Sequence, residues 1–144
     1  MIEQDTIRLL RECDAGVKMG VSSISEVLES IEDGALRKTL TKSRQAHEEL
    51  GASIQAALDR FGDDGKSPNP IASVMSTVKT NMELMMKPTD ATIADLMTDG
   101  CNMGVKSLSK YLNQYAAADE SAKDVCKKLI ALEEQLAKDM RGYL

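Results

Sequence analysis

An internal repeat of a helical segment is the strongest constraint on the fold of this chain. Residues 16–28 read GVKMGVSSISEVL and residues 100–112 read GCNMGVKSLSKYL, so seven of thirteen positions are identical at an offset of 84. A shorter match, with one residue inserted, relates AHEE at 46–49 to ALEE at 131–134. The order of these matches indicates a helical hairpin that occurs twice, with a long connection between the two copies.

Apolar residues recur at steps of three and four along almost the whole chain, as is typical of amphipathic helices. None of the segments shows the alternation of a half-buried strand, and only 3% of the residues are aromatic, so the sequence predicts an all-α protein. Five segments share the helical spacing: 7–31, 36–61, 71–86, 93–115 and 125–143.

The lengths of the connections predict how these helices are arranged. The turn inside each hairpin is short, so the two helices of a hairpin run antiparallel. The connection over 62–89 is long enough to cross the bundle, because its own helix covers roughly 24 Å at 1.5 Å per residue. The second and fourth segments can then run parallel. We therefore predict one domain over 1–144, a four-helix bundle of two antiparallel hairpins with an additional short helix in the crossover.

In its order of helices, its duplicated hairpin and its crossover, the chain resembles the ferritin-like superfamily. It is most similar to the small bacterial domain families of unknown function that share this fold, and the resemblance covers essentially the whole chain. Ferritin-like di-iron proteins take a carboxylate from each of two helices and a Glu-x-x-His motif from each of the other two. Here His47 is the only histidine, and Arg44 stands three residues before it. The usual di-iron ligand set is therefore absent from the sequence.

An unconventional metal site around His47 is the alternative that the sequence leaves open. Such a site would bind iron or manganese, and its candidate ligands are His47, Glu48, Asp14 and Glu133. With Gly34 at the centre of the turn, Asp14 and His47 lie roughly 10 Å apart along the helix axis, too far for one ion. The glutamate pairs at 48–49 and 133–134 are expected on solvated flanks of their helices. We therefore expect no metal site, no cofactor and no catalytic residue.

Two polar residues interrupt the apolar seams, and both have structural explanations. His47 aligns with Leu132 in the repeat, and we expect a core histidine that is hydrogen-bonded to a serine or to a backbone carbonyl. Asp14 is expected to specify the register of the first helix or to pair with Lys18 or another cation.

Glycine recurs at a spacing of four in both copies of the repeat. A glycine inside a soluble helix costs about 1 kcal/mol relative to alanine, so the four positions need a packing reason. We expect the first and fourth segments to pack glycine face against glycine face. A groove that accepts a ligand or a partner helix is the alternative. The helix-packing glycines are Gly16, Gly20, Gly100 and Gly104.

Charge and composition exclude several classes of partner. A net charge of −5 argues against nucleic-acid binding. The sequence contains no run of about 18 apolar residues, the length that a membrane-spanning helix needs. The acidic start of the chain lacks the features of a signal peptide, so we expect a cytoplasmic protein. The three cysteines show no CxxC spacing and are expected to be small buried residues in a reducing compartment.

Methionines of the third segment offer an adaptable surface, which is expected to cover the flank of the bundle or to form a dimer contact. These residues are Met75, Met82, Met85 and Met86. The sequence favours a non-enzymatic binding or assembly module over an enzyme. We expect it to form a homodimer, with another protein as the alternative partner.

Overall fold

The computed structural model describes residues 2–63 and 88–144. In these two stretches the chain forms four α-helices and no strand, which confirms the all-α prediction. The predicted third segment over 71–86, with Met75, Met82, Met85 and Met86, lies outside the described residues. The helices are α1 (Ile2–Leu28), α2 (Gly34–Arg60), α3 (Asp90–Gln114) and α4 (Glu120–Met140), and α4 continues into a 3-10 turn at Arg141–Tyr143.

Side-chain caps determine where three of the helices begin. The residues before α2, α3 and α4 are Asp33, Thr89 and Asp119. Each side-chain oxygen accepts a hydrogen bond from the backbone N–H three residues later, at 2.9, 3.1 and 2.8 Å. These bonds satisfy backbone donors that have no partner within the first helical turn.

The turn of each hairpin is hydrogen-bonded to the beginning of the first helix of the other hairpin. The Asp33 N–H donates to Asp90 Oδ2 at 2.9 Å, and the Asp119 N–H donates to Thr6 Oγ1 at 2.9 Å. The two acceptors are 84 residues apart and the two donors are 86 apart. The donor and the acceptor at one end of the bundle therefore correspond, within two residues of the repeat offset of 84, to those at the other end.

These contacts also establish the directions of the helices. α2 and α3 both begin at the end that contains the Asp33–Asp90 bond, whereas α1 and α4 begin at the opposite end. Asp63, just after α2, forms an ion pair with Arg11 in the first half of α1 at 3.7 Å. α2 and α3 therefore run parallel, and the chain leaves α2 at one end of the bundle and enters α3 at the other. No described helix has the length and apolarity needed to cross a membrane.

The buried side chains of the four helices form two apolar clusters along the bundle. The cluster nearer the start of α1 includes Leu9, Leu10, Cys13, Val17, Ile54, Leu58, Leu108, Cys126 and Leu129. The cluster nearer the end of α1 includes Ile24, Val27, Leu36, Leu40, Ile93, Met97, Cys101, Leu136 and Met140. Between the clusters, four residues without an apolar side chain lie next to one another, one from each helix, and we call this set the central layer: Gly20, His47, Gly104 and Glu133.

Candidate functional site

His47 and Glu133 form a buried pair in the middle of the bundle. His47 Nε2 lies 2.8 Å from Glu133 Oε1, and His47 is fully buried while Glu133 is 8% exposed. On the other side of the ring, His47 Nδ1 lies 2.8 Å from the Ser43 carbonyl oxygen one turn earlier in α2. A carbonyl can only accept, so Nδ1 carries a proton and donates it. Both ring nitrogens are therefore engaged.

The surroundings of His47 act on its charge in opposite directions. Burial by itself lowers the pKa of His47, because it removes water from the imidazolium. The hydrogen bond and negative charge of Glu133, together with the Ser43 carbonyl, outweigh burial and raise the pKa above its usual value. The pair therefore favours a protonated imidazole more than an exposed histidine does.

A small cavity adjoins this pair between α1 and α3. It has a volume of about 40 Å³, and its wall includes Ser23 and Gly100 as well as His47 and Glu133. Such a volume admits a water molecule, which needs at least roughly 10–15 Å³, but no larger organic molecule. Cys101 also lines the cavity, and burial, followed by the charge of Glu133, raises the pKa of its thiol. The Cys101 thiol therefore stays neutral.

Glu133 corrects the sequence interpretation of α4. It was expected on a solvated flank, with Leu132 as the counterpart of His47. The structure buries Glu133 and leaves Leu132 only half-buried. The buried face of α4 comprises Ala122, Cys126, Leu129, Glu133, Leu136 and Met140. This face aligns with the buried face of α2 at an offset of 86, whereas the AHEE and ALEE match has an offset of 85.

The other candidate ligands do not join the pair. Asp14 is 3% exposed and binds Lys18 Nζ at 2.7 Å, one of the roles that the sequence offered for it. Glu48 is exposed and forms a long ion pair with Arg44 at 3.8 Å. Within 2–63 and 88–144, no three or more histidine, cysteine, aspartate or glutamate side chains are arranged to hold a metal ion.

Three of the four repeated glycines pack against side chains of other helices, not against another glycine. A Cβ added to Gly20 would lie 2.8 Å from His47 Cδ2, and one added to Gly104 would lie 3.4 Å from Glu133 Oε2. A Cβ added to Gly16 would lie 3.4 Å from Leu129 Cδ2, whereas one added to Gly100 would meet no atom of residues 2–63 and 88–144 within 4 Å. The expected contact of glycine face with glycine face is therefore replaced by two glycines that make room for the buried pair.

A groove runs along the opposite, outer side of α2 and α4, and we call it the outer groove. Its volume is about 480 Å³. Leucines and alanines line it, with two charged residues and a serine among them: Ala46, Leu50, Ala131, Leu132, Glu49, Ser53 and Lys128. Ala46 and Leu132 directly precede His47 and Glu133, so the helices that hold the pair on their inner faces form this groove on their outer faces.

Comparison with known proteins identifies no relative of this chain. No protein-family model, curated protein or solved structure matches it. The ferritin-like resemblance therefore stays a prediction from the order of the helices.

Proposed function

We propose that this chain is a ferritin-like bundle of two duplicated hairpins that acts as a non-enzymatic assembly module and pairs with a second copy of itself. The outer groove carries the proposal. Leu50 and Leu132 are only half-buried there, and the exposed Glu49 and Lys128 lie beside them. An apolar patch that is rimmed by polar residues is typical of a surface that packs against a protein partner.

Equivalent contacts in the two hairpins support the duplicated bundle. Gly20 packs against His47 within the first hairpin, as Gly104 packs against Glu133 within the second. The bonds from the two hairpin turns follow the same rule, because each joins a helix cap to the first helix of the other hairpin. A duplicated hairpin folded around a pseudo-twofold axis would produce both sets of contacts.

The hydrogen bonds of His47 within the central layer support a non-enzymatic role. Both nitrogens of His47 are engaged by protein atoms, and the backbone of Gly20 closes over the ring. The adjoining cavity has room for water only. A general base must reach the proton that it abstracts, and this histidine has no free edge for an organic substrate.

Charge complementarity favours a second copy as the occupant of the outer groove. The His47–Glu133 contact brings these two positions to the same level, which places Glu49 and Lys128 roughly 5 Å apart along the bundle axis. A twofold axis parallel to the groove would set α2 of one copy against α4 of the other at the same level. Glu49 would then face Lys128 of the second copy, and the two leucine surfaces would meet between them.

The size of this surface predicts a reversible dimer. The shared length of α2 and α4 is about 30 Å and the width of two packed helices is about 20 Å, so each copy offers on the order of 600 Å². Stable interfaces bury about 800 Å² on each partner. We therefore expect a dimer that dissociates on dilution.

Sedimentation velocity over a dilution series tests this proposal. The wild-type chain should dimerise, and Leu132→Glu should remain monomeric with unchanged helix content. Glu49→Lys should weaken the dimer, and adding Lys128→Glu to it should restore the affinity. Met103→Glu is the matched control, because Met103 is 51% exposed on α3, outside the groove. A monomer at every concentration, or a dimer that Leu132→Glu leaves intact, would overturn the proposal.

A further inference from the structure

We propose that the central layer is a proton-binding site. In the folded chain one proton is held between His47 and Glu133, and its release at higher pH weakens the contact between the two hairpins. This inference does not depend on self-association.

The hydrogen-bond partners of the ring require this proton. A neutral imidazole carries one N–H, and donation from Nδ1 to the Ser43 carbonyl uses it. Nε2 would then direct a lone pair at a Glu133 carboxylate oxygen 2.8 Å away, in a site that is closed to solvent on the His47 side. Two facing acceptors repel each other, and their burial without a donor is costly. One additional proton on Nε2 turns this contact into a charged hydrogen bond from the imidazolium to the Glu133 carboxylate.

No other charged side chain of the described residues that line the cavity faces the His47–Glu133 contact. Cys101 of α3, whose thiol is neutral, and Ser23 of α1 also line the cavity. On α2 itself, Arg44 donates to the Ser25 hydroxyl of α1 at 3.2 Å and lies 3.8 Å from Glu48.

Farther along α1, the buried Asp14 is paired with Lys18 at 2.7 Å. Of the side chains that line the cavity in the described part of the chain, His47, Glu133 and Cys101 are titratable. The proton is therefore held by the His47–Glu133 pair alone.

Protons can reach the pair through the cavity. A Cβ added to Gly100 would meet no atom of the described residues within 4 Å, so the α3 wall leaves space beside the pair. The cavity volume of about 40 Å³ is sufficient for a water molecule next to Glu133, which itself is 8% exposed. Exchange with solvent therefore does not require the bundle to unfold.

The sign of the pH effect follows from the two states of His47. In the unfolded chain the histidine loses its proton near pH 6.5. In the folded chain Glu133 and Ser43 raise its pKa, so the proton is retained to higher pH. The stabilisation is thus fully present below about pH 6.5 and is lost as the pH rises through the folded pKa. Between these two points the equilibrium constant for unfolding should increase by up to about tenfold per pH unit.

A nuclear magnetic resonance titration of the imidazole tests the site directly. His47 is the only histidine, so its ring signals need no assignment by mutation. We expect both ring nitrogens to be protonated at pH 6.5, and the midpoint to lie above 6.5. Glu133→Gln should lower the midpoint, whereas Glu134→Gln removes the same charge from the exposed neighbouring position and should leave it unchanged. A midpoint at or below 6.5 in the wild type would overturn the proposal.

Urea unfolding of the wild type between pH 6 and 8, below the pH of about 8.5 at which thiols of the unfolded chain ionise, tests the consequence for stability. The unfolding equilibrium constant should rise with pH over part of this range, and the double variant His47→Leu with Glu133→Leu should lose that dependence. If the double variant does not fold, the wild-type titration and the wild-type stability profile must still agree in midpoint. A wild-type profile that is flat over this range would contradict the proposal.

Discussion

Gly20 lies directly against the imidazole of His47, so closely that a Cβ at this position would stand 2.8 Å from Cδ2 and 3.0 Å from Nε2 of the ring. The ring cannot retreat easily, because hydrogen bonds hold both of its nitrogens. The glycine therefore gives up helix propensity to make room for a buried polar group.

Replacement of this glycine should destabilise the bundle. Gly20→Ala gains about 1 kcal/mol of helix propensity but overpacks the ring, and overpacking of a filled core typically costs about 1–3 kcal/mol. We expect a net loss in the free energy of unfolding, measured by urea denaturation at pH 6. Gly100→Ala is the matched control, because its Cβ would meet nothing within 4 Å in the part of the chain that the structure describes, and it should stabilise by up to about 1 kcal/mol. Equal effects of the two substitutions would contradict this account of the repeat.

The His47–Glu133 pair should show strong coupling in a double-mutant cycle. Glu133→Leu leaves a buried imidazolium or an unpaired nitrogen and should cost about 3–5 kcal/mol. His47→Leu leaves Glu133 without its partner and should cost a similar amount. The double variant places apolar side chains between two apolar clusters, and its stability should lie within about 1–2 kcal/mol of the wild type. Additive losses in the free energy of unfolding would show that the two residues act separately.

The sequence predicted the helices and their directions better than it predicted the central layer. The spacing of apolar residues determines which face of a helix is buried, and the turn at 33–34 correctly placed His47 near the level of residue 21. The sequence did not predict the burial of Glu133, because the AHEE and ALEE match aligns His47 with Leu132 and leaves Glu133 on the solvent side. Small residues hide the true offset, since Ala122 and Cys126 continue the buried face of α4 and carry little hydrophobic signal. From Ala122, successive steps of four, three and four residues lead through Cys126 and Leu129 to Glu133 on the same face.

The contacts between hairpins were beyond the reach of the sequence for a different reason. The bonds from Asp33 to Asp90 and from Asp119 to Thr6 join residues that are far apart along the chain. Periodicity reports only on the local burial of a helix face, whereas these bonds depend on how two hairpins are placed. The glycine contacts show the same limit, because a spacing of four predicts close packing without identifying the side chain that fills the space.

The cysteines should react slowly in the folded protein. Cys13 and Cys126 have no exposed surface, and Cys101 is 3% exposed. Burial and the nearby Glu133 raise the pKa of Cys101, and a hydrogen bond to Cys126 is the largest cause that raises the pKa of Cys13. We expect labelling by an aromatic disulfide reagent to be limited by opening of the bundle, with all three thiols reacting in urea. Asn113→Cys, at an exposed position of α3 outside the outer groove, should add one fast-reacting thiol as a control, and fast labelling of the wild type would refute the prediction.

The hydrogen bonds between hairpins at the two ends of the bundle should contribute independently to stability. Asp90 accepts from the backbone N–H groups of Glu32 and Asp33 at 3.0 and 2.9 Å, and hydrogen bonds to a charged group contribute about 1.5–3 kcal/mol each. Because the site is exposed to solvent, we expect Asp90→Ala to cost about 1–3 kcal/mol in total. Asp95→Ala removes the same charge from an exposed position of α3 and should change stability by less than about 0.5 kcal/mol.

At the opposite end, Thr6→Val keeps the shape of the side chain but removes the acceptor of the Asp119 N–H, and it should cost about 1–2 kcal/mol because Thr6 is 1% exposed. The two sites lie at opposite ends of the bundle and share no partner, so the losses in the free energy of unfolding should add within about 0.5 kcal/mol in the double variant. A double variant that is no less stable than Asp90→Ala alone would mean that the two ends do not hold the hairpins together independently.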